Sequence, residues 1–79
     1  MSHYKVIERA GDGMVIIDSI DGFGDEYKGQ TWARCKSRKS GTCAVSMIDY
    51  PAGTLVYRPV TNAANRSRRI NAKIIDGNI

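Results

Sequence analysis

The sequence predicts a small α+β domain, in which an antiparallel sheet of about five short strands curls into a partial barrel and packs against one C-terminal helix. Short segments rich in β-branched and aromatic residues recur before residue 60, and turn-forming residues separate them. Near residue 61 the apolar spacing changes from two to roughly 3.6, which is typical of a helix. A chain of 79 residues is long enough for one domain with a modest core.

The first two strands are expected at residues 3–8 and 13–20, joined as a hairpin by the turn at 10–13. The second strand is rich in β-branched residues, and the turn contains two glycines. Residues 21–29 follow with three glycines and three acids. We expect this flexible and polar segment to be a surface loop.

A second hairpin is expected across residues 30–47, with arms at 30–36 and 42–47 around a Ser-Arg-Lys-Ser-Gly loop. In a symmetric hairpin, Cys35 and Cys43 would face each other across the two arms. The sequence leaves open whether the two cysteines are free thiols, a disulfide or metal ligands.

The faces of this hairpin follow from the two-residue period of a strand. On one face, the first arm is expected to place Thr31, Ala33 and Cys35 in the core. The other face is expected in solvent, where Trp32 would lie together with the cations Arg34 and Lys36.

The last two elements are a strand at 54–58 and a helix at 61–75. Pro59 would end the strand because proline cannot donate to a ladder. Asn62 is the candidate N-cap of the helix, whose apolar stripe would include Ile70 and whose other faces carry four cations.

Charge is segregated along the chain. Residues 1–27 hold six acids and two bases, a formal charge of −4, and residues 28–79 hold ten bases and two acids, a formal charge of +8. We therefore expect one domain over 1–79, with an acidic hairpin and loop in 1–29 and a basic hairpin, strand and helix in 30–76. A field of one sign over a small surface attracts partners of the opposite charge.

The expected function is that of a small non-enzymatic module that binds nucleic acid through a cationic sheet face and helix. Cations would contact phosphates, and an exposed indole would stack on a base. The candidate binding residues are Trp32, Arg34, Lys36, Arg38, Lys39, Arg58, Arg66, Arg68, Arg69 and Lys73.

A protein–protein inhibitor or adaptor is the alternative, for example a phage or mobile-element protein that acts on a host defence or regulatory complex. Such a protein would use the same charge asymmetry to dock on an acidic protein surface. A homodimer would add buried surface to a chain this short.

Catalysis, metals and cofactors are not expected. A catalytic site needs a nucleophile, a base and an orienting group within reach of one another. His3 is the only histidine, and it lies in a segment that is expected to fray. Two cysteines and one histidine fall short of the usual four zinc ligands, and the acids of 18–26 do not follow the calcium-loop spacing.

The sequence also predicts no membrane span and no signal peptide, because its longest aliphatic run covers only residues 14–17. We accordingly expect a cytoplasmic protein, in which the cysteines would be thiols by default.

Three motifs together resemble a family of short proteobacterial proteins known as domain of unknown function number 3331. They are Gln-Thr-Trp at 30–32, Ser-Gly-Thr-Cys-Ala-Val-Ser at 40–46 and Val-Tyr-Arg-Pro at 56–59. An Asn- and Ala-rich segment that ends in Lys-Ile-Ile at 73–75 extends the resemblance over most of the chain. The family pattern often has glycine where this chain has Met47. The resemblance implies a compact cytoplasmic domain, and it transfers no catalytic residue to this chain.

Overall fold

A computed structural model describes residues 3–20 and 24–77. These residues form seven strands and one short helix. The elements are β1 (His3–Gly11), β2 (Met14–Ile20), β3 (Glu26–Lys36), β4 (Gly41–Thr42), β5 (Asp49–Tyr50), β6 (Leu55–Pro59), β7 (Ile70–Asn71) and α1 (Ala72–Asp76).

The main sheet is antiparallel, with strand order β1-β2-β3-β6-β7, and β4 pairs with β5 as a separate ribbon. The sheet is curled, as a contact between its two edges shows. Arg9 on one edge strand donates a hydrogen bond of 2.9 Å to Asp76, just beyond the opposite edge strand. The predicted α+β class, with a half-barrel of five strands and a C-terminal helix, is confirmed.

The N-terminal hairpin of β1 and β2 is also confirmed, with β1 longer than predicted. Its register shifts between Val6 and Glu8 and again between Arg9 and Gly11. Such irregularities increase the twist of a strand and help a sheet to curl. The predicted loop at 21–29 is wrong at its end, since β3 begins at Glu26, and residues 21–23 lie outside the described ranges.

The predicted second hairpin is wrong. The strand β3 pairs with β6, so that Trp32 lies opposite Pro59 and Cys35 lies opposite Val56. Residues 43–47 turn away instead of continuing as a strand, because Met47 takes a left-handed conformation with φ of 61° and donates to the Cys43 carbonyl at 2.9 Å. Cys35 and Cys43 are therefore not cross-strand partners, and both are free thiols.

The assignment of faces on β3 is likewise wrong. Trp32 has no exposed surface, whereas Thr31, Ala33 and Cys35 are only partly buried. Alternation separates two faces but does not say which one the rest of the chain covers. Here the Trp32 face lines the inside of the curl, where its cross-strand neighbour is Val15.

The core lies inside the curl of the sheet. Trp32 and Tyr57 are its largest fully buried side chains. The Tyr4 ring meets the Trp32 ring edge-on with centroids 6.2 Å apart, and the Trp32 indole N–H donates to the Gln30 side chain at 3.1 Å. The cluster is completed by Val15, Ile17, Cys43, Ile70 and Ala72.

The predicted helix at 61–75 is wrong in extent. The observed helix covers only Ala72–Asp76, and its N-cap is Asn71, whose side chain accepts from the Lys73 N–H at 3.0 Å. Tertiary contacts prevail over helix propensity, because Ile70–Asn71 pairs with β6 as a strand and Asn65 is buried against Gln30. No helix in the described ranges has the length and apolarity to cross a membrane.

A cationic cleft as candidate functional site

A cleft of about 860 Å³ lies where the end of β3, the loop 37–42, the turn 43–47 and the segment 67–69 come together. We call it the cationic cleft, because six of its lining residues carry positive charge. These residues are Lys36, Arg38, Lys39, Arg58, Arg68 and Arg69.

The charge of this cleft is not neutralised within the described residues. None of the side chains that line it is acidic. The ion pairs formed in residues 3–20 and 24–77 involve Arg9, Lys28 and Arg34, and none of the six cleft cations. Cations that converge without carboxylate partners produce a positive potential that attracts an anion.

Backbone contacts hold the loop that carries Arg38 and Lys39. Ser37 donates its N–H to the Thr54 carbonyl at 2.8 Å and accepts from the Gly53 N–H at 2.9 Å. A Cβ on Gly41 would meet the Tyr50 hydroxyl at 2.6 Å, so only glycine fits there without a shift of that ring. The loop is therefore anchored at both ends while its cationic tip faces solvent.

A buried amide pair positions the segment that carries Arg68 and Arg69. Asn65 and Gln30 exchange two side-chain hydrogen bonds of 2.9 Å, and Gln30 also donates to the Thr61 hydroxyl at 2.8 Å. The Arg69 carbonyl accepts from the Ala44 N–H at 2.8 Å, which ties this segment to the neighbouring turn. Sequence patterns gave no sign of this network, because Asn65 was expected on a helix.

The Cys43 thiol organises the turn at 43–48. Its Sγ accepts from the Ser46 N–H at 3.4 Å and from the Asn71 N–H at 3.3 Å. Burial raises the pKa of this thiol, but the hydrogen bonds outweigh burial and the pKa lies below its ordinary value. Because Cys43 has no exposed surface, its role here is to anchor the turn.

Met47 and Ile48 form the exposed tip of that turn. Their exposed fractions are 73% and 68%, the highest of the large apolar side chains in the described residues. Met47 also lines the cationic cleft. The sequence predicts a strand arm that runs through Met47, so it gave no indication of this exposed tip. The glycine of the family pattern was the one signal of an unusual backbone.

Four of the ten predicted binding residues lie outside the cleft lining. Trp32 is buried in the core, so its predicted stacking on a base is wrong. Arg34 donates to Asp76 at 3.0 Å and lies 3.7 Å from Asp12, and the hydrogen bond to Asp76 raises the pKa of Arg34. Arg66 and Lys73 are exposed but do not line the cleft.

Asp76, at the end of the helix, joins three strands of the curled sheet. Its carboxylate accepts from Arg9 at 2.9 Å, from Arg34 at 3.0 Å and from the Tyr57 hydroxyl at 2.8 Å. Burial raises the pKa of this carboxyl, but the three hydrogen bonds together lower it below its ordinary value. We call this arrangement the Asp76 clamp.

A second, smaller depression of about 390 Å³ lies at the other end of β3, and its lining mixes charges of both signs. Lys5 and Lys28 line it together with Asp18 and Glu26. No group of three or more His, Cys, Asp or Glu residues able to hold a metal occurs within the described ranges.

Comparison with known protein families gives a match over nearly all of the sequence. The model of the family described as Domain of unknown function (DUF3331) matches residues 2–77. No curated protein and no solved structure matches the chain.

Proposed function

The chain belongs to the DUF3331 family, a domain of unknown function, and we propose that it binds nucleic acid by holding phosphates in the cationic cleft. The observation that carries this proposal is the convergence of six cations, from β3, β6, a loop and the segment before β7, on one concave surface whose lining contains no acid among the described residues. Phosphates spaced along a polyanion complement such an arrangement.

The hydroxyl groups of the cleft support phosphate as the anion. Protein contacts with phosphate use Ser and Thr hydroxyls and backbone N–H groups as well as Arg and Lys. The loop 37–42 and the segment 67–69 supply the hydroxyls of Ser40 and Ser67 around the same cleft.

The aromatic residues favour contacts with the backbone of the nucleic acid over contacts with its bases. Tyr50 is the aromatic residue among those that line the cleft, and its exposed fraction is 6%. Trp32 and Tyr57 have none. Because stacking requires an exposed ring face, binding should depend little on sequence and strongly on salt.

Charge reversal in the cleft tests this proposal. The double variant Arg38→Glu, Lys39→Glu changes two exposed loop residues that make no ion pair within the described chain. Fluorescence anisotropy with a labelled duplex should show an affinity loss of about 100-fold or more at low salt, since several phosphate contacts disappear and two repulsive charges replace them. For the unmodified protein, we expect log affinity to fall against log salt with a slope of about −5, as six phosphate contacts imply.

The matched control is Lys5→Glu, Lys28→Glu, which changes the net charge equally at the other depression. It should retain most of the affinity, because its charges lie away from the cleft. Equal losses in the two variants would show that net charge alone drives binding and would contradict a defined site.

An acidic protein surface is our second proposal for the partner of the same cleft. The exposed apolar side chains of Met47 and Ile48 favour it, since methionine is enriched in protein interfaces. This proposal replaces the first if neither duplex nor single-stranded nucleic acid binds at low salt.

A further inference from the structure

Met47 is exposed and conformationally unfavourable at the same time. An apolar side chain with 73% of its surface in water contributes little to folding. A φ of 61° is a conformation that residues other than glycine seldom adopt. A residue that is held in such a conformation without a folding benefit points to a function.

The turn that presents Met47 is closely braced. Cys43 donates its N–H to the Ile48 carbonyl at 3.0 Å and accepts from the Met47 N–H at 2.9 Å, so the turn closes on itself. Thr42 then donates to the Asp49 carboxylate at 2.6 Å at the base of the turn. The tip is therefore presented in a fixed place on the wall of the cleft.

An apolar tip beside a phosphate-binding surface has a specific use on double-stranded nucleic acid. Proteins that bend a duplex hold its phosphates with cations and insert Met, Ile, Leu or Phe between two base pairs. We propose that the cleft binds a duplex and that Met47, supported by Ile48, enters the base stack and kinks it. This inference rests on the proposed function and adds to it the class of nucleic acid and the change imposed on it.

The occupant we infer is a duplex and not a single strand. Non-specific single-strand sites stack successive bases on exposed rings, and the ring that lines this cleft is nearly buried. A flexible aliphatic side chain offers no such platform, but it can separate adjacent base pairs in a stack.

Energy transfer between dyes at the two ends of a short duplex measures the kink. We would use a duplex with flexible TA steps, which are easily unstacked. Binding of the unmodified protein should raise the transfer efficiency. With the duplex saturated, Met47→Ser should give less than half of that rise in transfer efficiency. The slope of its log affinity against log salt should not change, because the six cations remain. Met47→Leu should give the same rise in transfer efficiency, since leucine can also insert between base pairs.

Val6→Ser is the control, because Val6 is an exposed apolar residue on β1 that does not line the cleft. It should bend the duplex as the unmodified protein does. The insertion of Met47 is refuted if the saturated duplex shows no rise in transfer efficiency or if Met47→Ser bends it equally. It is also refuted if a single strand of equal length binds at least as tightly. In each of those outcomes the proposed function survives. If no nucleic acid binds at all, the proposed function is refuted, and the insertion of Met47 is refuted with it.

Discussion

At the scale of single residues, Met47 combines a backbone conformation that costs folding stability with an exposed side chain for which we propose a function. The left-handed conformation costs an L-residue about 1–2 kcal/mol relative to its preferred regions, and glycine avoids this cost but loses about 0.5–1 kcal/mol of backbone entropy on folding. We expect Met47→Gly to raise the free energy of unfolding by up to about 1 kcal/mol relative to Met47→Ala, as measured by urea denaturation. Both variants remove the same exposed side chain, so the comparison isolates the backbone.

An equal or lower stability of Met47→Gly would show that the turn is not strained at this residue. If the expected gain is found together with a loss of duplex bending, the methionine is retained at the expense of stability. That combination is typical of residues kept for function.

Trp32 and Arg34 show the limit of sequence reasoning about single residues. Composition and charge correctly indicated a basic protein, and six of the ten predicted residues line one cleft. The sequence does not state which face of β3 is covered, because both faces carry a mixture of polar and apolar residues. Nor does it show that Arg34 is engaged by Asp76, a residue 42 positions away.

At the scale of elements, the segment between β6 and β7 depends on Asn65. Replacement of Asn65 by alanine leaves the Gln30 amide without two of its hydrogen bonds inside the protein. We expect Asn65→Ala to lower the free energy of unfolding by about 1–3 kcal/mol, because two hydrogen bonds worth about 0.5–1.5 kcal/mol each are lost. The Gln30 amide keeps its hydrogen bonds with Thr61 and Trp32. Hydrogen exchange should also quicken in residues 65–69, because the pair anchors the segment that carries Arg68 and Arg69.

Asn62→Ala is the matched control, since Asn62 is exposed in the same segment. It should change the unfolding free energy by less than about 0.5 kcal/mol. Similar losses for the two variants would refute the anchoring role of Asn65.

This segment is also where the prediction of secondary structure failed. Alanines and the spacing of isoleucines favoured a helix over 61–75. A buried side-chain pair and two ladder positions on β6 hold most of that stretch in turns and a short strand. In contrast, the β1–β2 hairpin was predicted because its turn chemistry and its pairing are both local.

At the scale of the whole molecule, the Asp76 clamp keeps the sheet curled. A carboxyl with a lowered pKa in the folded state stabilises the fold above its unfolded pKa of about 3.9, and this contribution is lost as the pH falls through the folded value. We expect Asp76→Asn to lower the free energy of unfolding by about 1 kcal/mol at neutral pH, a figure reduced for the partial exposure of the carboxylate.

The free energy of unfolding at acidic pH provides the second measurement. As the pH falls below about 4, Asp76→Asn should lose less stability than the unmodified protein, because the titrating group is absent. Glu8→Gln, an exposed change on β1, should leave the profile nearly unchanged. A parallel decline in all three proteins would mean that Asp76 does not contribute to acid sensitivity.

The clamp also has a consequence for protein synthesis. Arg9 and Asp76 are 67 residues apart, so the contact that joins the first strand to the end of the helix forms only after residue 76 has been synthesised. Two core residues, Ile70 and Ala72, are synthesised only shortly before Asp76. A nascent chain therefore cannot complete this fold until residue 76 has left the ribosome, and until then its apolar side chains are available to a chaperone.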